Sequence, residues 1–210
     1  MHEHETKRMI MNTALQLFKR QGYDQVTVQN ICDACGITKT TFYYHLSSKA
    51  EIVSDYYKPV TTLLAQKMAG VLAAGNYWEQ FMAIFYQLVD TSEEIGYDLL
   101  GQLFIMNIKE DQGTFDLDYN LTETAVVLIE HAQKVGQIRN QSPALSLYYA
   151  ASHAFEGYDL LWCIKKRKYD RKRVLRKAFE DIFDVEPTLR KVPLYEAFDT
   201  TQNNAKAPRA

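Results

Sequence analysis

VTVQNICDACGITKTTFYYHLSSKAEI, residues 26–52, decides how this chain folds. Thr27 precedes the apolar-periodic run Val28, Ile31, Ala34 and Cys35, so its hydroxyl is placed to cap a short helix. Gly36 ends that helix, because a residue that tolerates positive φ suits the tight turn between two crossing helices. Ile37 plugs the angle between them. Thr38 is a second N-cap, opening a helix through Lys39, Thr40, Thr41, Phe42, Tyr43, Tyr44 and His45. At 3.6 residues per turn Phe42 and Leu46 share a face with Ile37, while Lys39, Thr40, Tyr43 and Tyr44 fall on the other. So short a helix, rich in aromatics and carrying Lys and His, has too little apolar surface to be a core element alone. The pattern is a helix-turn-helix whose polar face is expected to meet DNA.

Upstream, TKRMIMNTALQLFKRQGY, residues 6–23, is an amphipathic helix with Ile10, Ala14, Leu17 and Phe18 on one stripe and Gly22 as its stop. It supplies the third wall of a three-helix domain. With that helix, Phe18, Gly22-Tyr23, Thr27-Val28, Ile31, Gly36-Ile37, the Tyr43–His45 run and Lys49, the first fifty or so residues resemble the N-terminal domain of TetR-family transcriptional repressors. The resemblance implies that Thr38, Lys39 and Thr40 face base edges in the major groove, with Lys39 donating to guanine O6 and N7. It implies that Thr27, Tyr43, His45 and Lys49 hold phosphates, Thr27 and Lys49 from helix N-termini. Tyr44 fits either role. The chain departs from the family pattern at Thr40, where a small residue is common, at Leu46, where Phe is usual, and at Ala50, where an acid is usual.

Residues 1–50 hold six Lys or Arg against four acids, and the remainder 18 against 22. That asymmetry points DNA toward the N-terminus but is too weak for tight binding by one copy through counterion release, so a symmetric homodimer is expected. Its half-sites on a pseudo-palindromic operator would lie about 34 to 36 Å apart or a multiple of that. The three cysteines imply no disulfide framework. No apolar run reaches the ~18 residues of a membrane helix, and MHEHETKR is not a signal peptide, so no membrane partner and a cytoplasmic location are expected.

A chain of 210 residues that is 47% hydrophobic has material for a second core beyond the DNA module. Helical punctuation continues to the end. One helix starts near Ser47 and runs past Ile52 to Met68, kinked at Pro59, with Gly70 to Gly75 at its exit. Asn76 opens the next, and a third spans Tyr97 to Lys109. Residues 110–119 read as an acidic loop. Asn120 with Glu123 forms a capping box for a helix to Val135. Ser142 caps a helix with Pro143 at its first position, running to Lys166, and Asp170 caps a last one to Phe183. The expected fold class is all-α: an N-terminal three-helix helix-turn-helix domain, 1–50, followed by a six-helix ligand-binding and dimerisation domain, 51–198, and a disordered tail, 199–210.

The resemblance implies that the last two of these helices pair with their mates in a homodimer. Ala150, Ala151, Ala154 and Gly157 form a small-residue stripe for close approach, with Phe155, Leu161 and Trp162 as apolar anchors. The abundant tyrosines suggest an aromatic-lined pocket for a small-molecule effector, built from Phe81, Phe85, Phe104, Tyr148 and Tyr149, with His131, Ser152 and His153 as polar contacts. The same aromatic stripes equally describe a core. Cys32 and Cys35 share a helical face, but as buried small hydrophobes they need no metal or redox role. The basic cluster 165–173 reads as a solvated loop or one that pairs with acids of a partner subunit.

No metal or cofactor is expected, and no catalytic constellation is present, so an enzyme is not. The reading is a ligand-responsive, sequence-specific regulator, most simply a repressor released by its effector. The alternatives are a helical adaptor or co-activator acting through protein partners, or an activating member of the family.

Overall fold

The computed structural model describes residues 2–57, 75–166 and 170–192. Pro59, the 60–74 stretch and the tail 199–210 lie outside the described residues, as does most of 192–198. The described chain is helical: α1 (His2–Gln21), α2 (Val28–Cys35), α3 (Lys39–His45), α4 (49–57), α5 (Tyr77–Ile95), α6 (Tyr97–Lys109), α7 (Tyr119–Lys134), α8 (Ala144–Lys165) and α9 (Arg171–Ile182). A 3-10 turn, Pro187–Leu189, follows. Among the described residues the one β-type pairing is the isolated antiparallel bridge Ile138–Val185. The all-α architecture, with the helix-turn-helix first, is the one read from the sequence.

Most helix starts lie where side chains satisfy the free N–H groups of a first turn. Asn76 accepts from Glu79 N at 2.9 Å ahead of α5, and Asp170 accepts from Arg173 N at 3.0 Å ahead of α9. Two expected caps are corrected. The α7 helix begins at Tyr119, two residues earlier than an Asn120 cap would set it, so Asn120 stands inside its first turn and Glu123 accepts from the Tyr119 hydroxyl. In α8 the N-cap is Pro143 and makes no side-chain capping bond, because the extended proline (ψ 132°) delays the helix to Ala144.

Two compact units form, Met1–Lys67 with Asp90–Asp118 and Met68–Val89 with Tyr119–Ala210. The unit that holds the helix-turn-helix therefore extends past residue 50 and includes α6. Its core contains the four stripe residues of α1, all buried, with Ile31, Phe42, Leu46 and Ile52. Lys7 of α1 straps α4 through Asp55 at 2.9 Å and Glu51 at 3.3 Å.

The other unit is built on an aromatic cluster in which Trp78, Phe81 and Phe85 of α5 meet Phe179 and Phe183. Beside it Arg176 bonds Glu79 at 2.7 Å and Glu180 at 2.8 Å. Burial opposes that guanidinium's charge, but bonds to Glu79, Tyr86 and Glu180 outweigh it and hold the proton more tightly than usual.

Candidate nucleic-acid interface

The Thr27 hydroxyl accepts from Asn30 N at 3.1 Å, and Asn30 Oδ1 accepts in return from Thr27 N at 2.9 Å. This reciprocal capping box starts α2. Gly36 closes the helix at φ 66°, donating to Asp33 and Cys32 carbonyls, and Ile37 N reaches Cys32 O at 3.0 Å. Thr38 then caps α3, accepting from Thr41 N at 3.2 Å. Phe42 and Leu46 are buried beneath this pair of helices.

What α3 leaves outside is its polar and aromatic face. Lys39 and Thr40 are exposed in its first turn, and Tyr43 and Tyr44 keep 55% and 71% of their surface. Tyr43 stands edge-on to Phe42, and Tyr44 edge-on to the half-buried His45, so the rings are oriented by their neighbours. An exposed row of a cation, hydroxyls and phenols on a helix fixed by a buried Phe suits contact with base edges and phosphates.

Three expected contacts are already engaged within the fold. The Thr27 hydroxyl lies 2.7 Å from Asn30 Oδ1 as a donor. The Thr38 hydroxyl lies 3.0 Å from that of Thr41. Lys49 Nζ donates to Tyr23 O and Val26 O, each at 2.9 Å, and sits 4.1 Å from the centre of the Tyr23 ring. Asn30 as the box partner of Thr27 was missed in the sequence, although Thr-x-x-Asn carries the capping spacing. Tyr23 N also donates to Asp98 Oδ2 at 2.7 Å, a pairing across 75 residues without a local signal.

Around this site, burial works against the Glu51 carboxylate, but the Ser47 N–H and hydroxyl and the Lys7 ammonium outweigh it and hold the carboxyl below its usual range. Cys32 is buried and Cys35 partly so, both as free thiols, and burial pushes the Cys32 thiol up. Among the described residues no cluster of metal-ligating side chains occurs.

The residues expected to line an effector pocket are only partly brought together. Phe81, Phe85 and Tyr148 are buried and in ring contact along one line, at 5.2 and 6.4 Å, as core. Ser152 is buried too, and its hydroxyl has no hydrogen-bond partner among the described residues. Tyr149 and His153 are exposed on α8, and His131 is exposed beside Tyr77. Phe104 belongs to the other compact unit, where it stacks on Phe115 at 4.5 Å.

The stripe expected at a dimer interface also divides. Ala150, Gly157 and Leu161 are exposed and Ala154 half-buried. Ala151 and Trp162 are buried in their own chain, and Phe155 packs on Phe85 at 5.7 Å. Trp162 is thus no anchor for a partner, since the Arg171 guanidinium covers it at 4.0 Å. Within the basic cluster the same contact sets Arg171 apart: it is buried and bonded to Asp159 of its own chain, while Lys165 and Lys166 are exposed.

Fold and site together define a helix-turn-helix DNA-binding protein. Residues 10–56 match the family model described as bacterial regulatory proteins, tetR family. The HTH-type transcriptional regulator YuxN of Bacillus subtilis is 30% identical over 100 residues, which is 45% of this chain and 34% of that protein. Among solved structures, the TetR-family repressor FadR of Thermus thermophilus, in complex with lauroyl-CoA, superposes with a TM-score of 0.61 at 18% identity, covering 84% of this chain and 92% of that one. A transcriptional regulator of Saccharomonospora viridis in complex with choline gives 0.63 at 22%, covering 87% and 99%. Residues 10–56 thus carry a DNA-binding domain of the tetR-family type, and the chain spans about a third of the length of the curated relative YuxN. Among the described residues no helix is long and apolar enough to cross a membrane.

Proposed function

We propose that this chain is a ligand-responsive repressor that binds a pseudo-palindromic operator as a homodimer and is released by a small-molecule effector. The observation that carries it is the outward face of α3, where Lys39, Thr40, Tyr43 and Tyr44 are exposed over a buried Phe42. Lys39 and Thr40 read base edges with Thr38 framing the helix start, Tyr43 and His45 hold phosphates beside Thr27, and Tyr44 serves either role. Residues 1–50 serve DNA, and 51–198 serve the effector and the dimer.

For the dimer, α8 leaves Leu145, Tyr149, Leu160, Leu161 and Ile164 exposed, with Gly157 among them. Apolar side chains of that size on one helix favour a second copy. For the effector, the buried Ser152 hydroxyl, about one helical turn after buried Tyr148, gives an apolar environment a polar handle. The ligands of the two structural relatives differ in chemistry, a fatty acyl thioester in one and a quaternary amine in the other, and neither is transferred to this chain.

Selection of duplexes from a random pool by the full chain, followed by sedimentation of the complex, tests the reading. A palindromic consensus bound by two copies is expected. Enrichment of no sequence, or binding by one copy, contradicts it.

A further inference from the structure

Tyr23 stands where α1, α4 and α6 meet. Its N–H donates to Asp98 Oδ2 at 2.7 Å, and Asp98 lies in the first turn of α6. Its carbonyl accepts from Lys49 Nζ at 2.9 Å, and the same ammonium reaches Val26 O at 2.9 Å from the start of α4. Its ring is buried against Phe18 of α1 at 5.0 Å, with Lys49 over its face. Within the loop itself the main chain makes a single longer bond, Val26 N to Tyr23 O at 3.3 Å. The residue after Val26 is Thr27, the cap of α2.

The loop that decides where α2 begins is therefore held by charged groups from outside it. Hydrogen bonds with one ionised partner are about twice as strong as neutral ones, and a carbonyl pair seats an ammonium directionally. Lys49 commits two of its three donors to that seat. A lysine reaching for a phosphate would extend into solvent instead.

We infer that Lys49 and Asp98 are positioning residues for operator binding, acting on DNA through the 23–26 loop and the α2–α3 pair it carries. This rests on the reading that α3 enters DNA. Asp98 makes the start of α6 a direct support of the reading head, and Lys49 is removed from the phosphate clamp.

The test uses the full chain, its selected duplex, and the variants Asp98→Ala, Asp98→Asn and Lys49→Met. Asp98→Ala, which loses one charge-assisted bond, is expected to weaken binding by about tenfold, and Lys49→Met, which loses two, by at least as much. The slope of log affinity against log salt should not change, because the same phosphates stay neutralised. Asp98→Asn keeps an acceptor oxygen and should restore binding. Exchange of the Tyr23 amide should quicken in Asp98→Ala and stay slow in Asp98→Asn.

A shallower slope in Lys49→Met, by about 0.9 for each phosphate that the lysine had neutralised, would make Lys49 a phosphate ligand and overturn the inference. Equal Tyr23 exchange in wild type and Asp98→Ala would overturn it from the other side. A wild-type chain that selects no duplex removes the DNA reading, and with it the DNA role of both residues. The exchange arm still decides whether the loop is tethered.

Discussion

The Arg171 guanidinium lies 4.0 Å from the centre of the Trp162 ring, with Asp159 as its ion-pair partner, so the last turns of α8 and the first turn of α9 are joined inside one chain. Trp162 is then core and its neighbour Leu161 is surface. Trp162→Ala should cost the protomer roughly 3–5 kcal/mol in urea unfolding. Leu161→Ala should leave protomer stability within about 0.5 kcal/mol and weaken self-association in sedimentation instead. The opposite assignment of the two effects would place Trp162 at the interface.

Gly36 holds φ 66°, and a Cβ at that position would meet nothing within 4 Å, so the demand there is conformational and not steric crowding. Gly36→Ala is expected to cost about 1 kcal/mol, the penalty of a left-handed turn for a residue with a Cβ. A larger loss in thermal or urea unfolding would point to a contact that the open surroundings do not contain.

Stability should fall in acid through Glu79 and Glu51. Burial works against both carboxylates, but Arg176 and Lys191 hold Glu79, and Ser47 and Lys7 hold Glu51, below the ordinary carboxylate range. A group depressed in the folded state stabilises above its unfolded pKa, near 4.5 here, and that contribution is lost as pH falls through the lower folded value. Urea midpoints should therefore drop below about pH 4.5. Arg176→Met, which leaves buried Glu180 without its cation and Glu79 with Lys191 alone, should cost roughly 3–5 kcal/mol at neutral pH and flatten the acid limb. An unchanged limb would show that the Glu79 pair contributes nothing to it.

Cys163 is expected to be inert in the native chain. Burial, with Asp159 nearby, pushes its thiol up to about 12, so almost no thiolate exists at pH 8. Iodoacetamide followed by mass spectrometry should label Cys163 slowly in buffer and rapidly in urea. Fast labelling of the folded chain would contradict the burial assigned to it.

What was legible in the sequence is what is local. Thr27, Gly36, Thr38, Asn76 and Asp170 each act on residues two to four positions away, so spacing alone exposes them. Asn120 lies two residues and Ser142 one residue from the cap positions, because Tyr119 enters α7 with its hydroxyl on Glu123 and Pro143 extends the chain before α8. The stripe Phe81, Phe85 has the same period whether it lines a pocket or fills a core, and the partners that decide, Phe179 and Phe183, arrive from α9 and its end. Tyr23 with Asp98, and Arg171 under Asp159 and over Trp162, are long-range or cross-helix pairings that no window of sequence displays.

The most direct measurement is the affinity of the full chain and of Lys39→Ala for the selected duplex and for each of its single base-pair variants. Base reading by Lys39 predicts that the variant loses discrimination at one base pair in each half-site, by about 1 to 3 kcal/mol, and keeps its preferences elsewhere. A uniform loss on every duplex would make Lys39 a phosphate contact, and unchanged affinity on all of them would show that α3 does not face the bases.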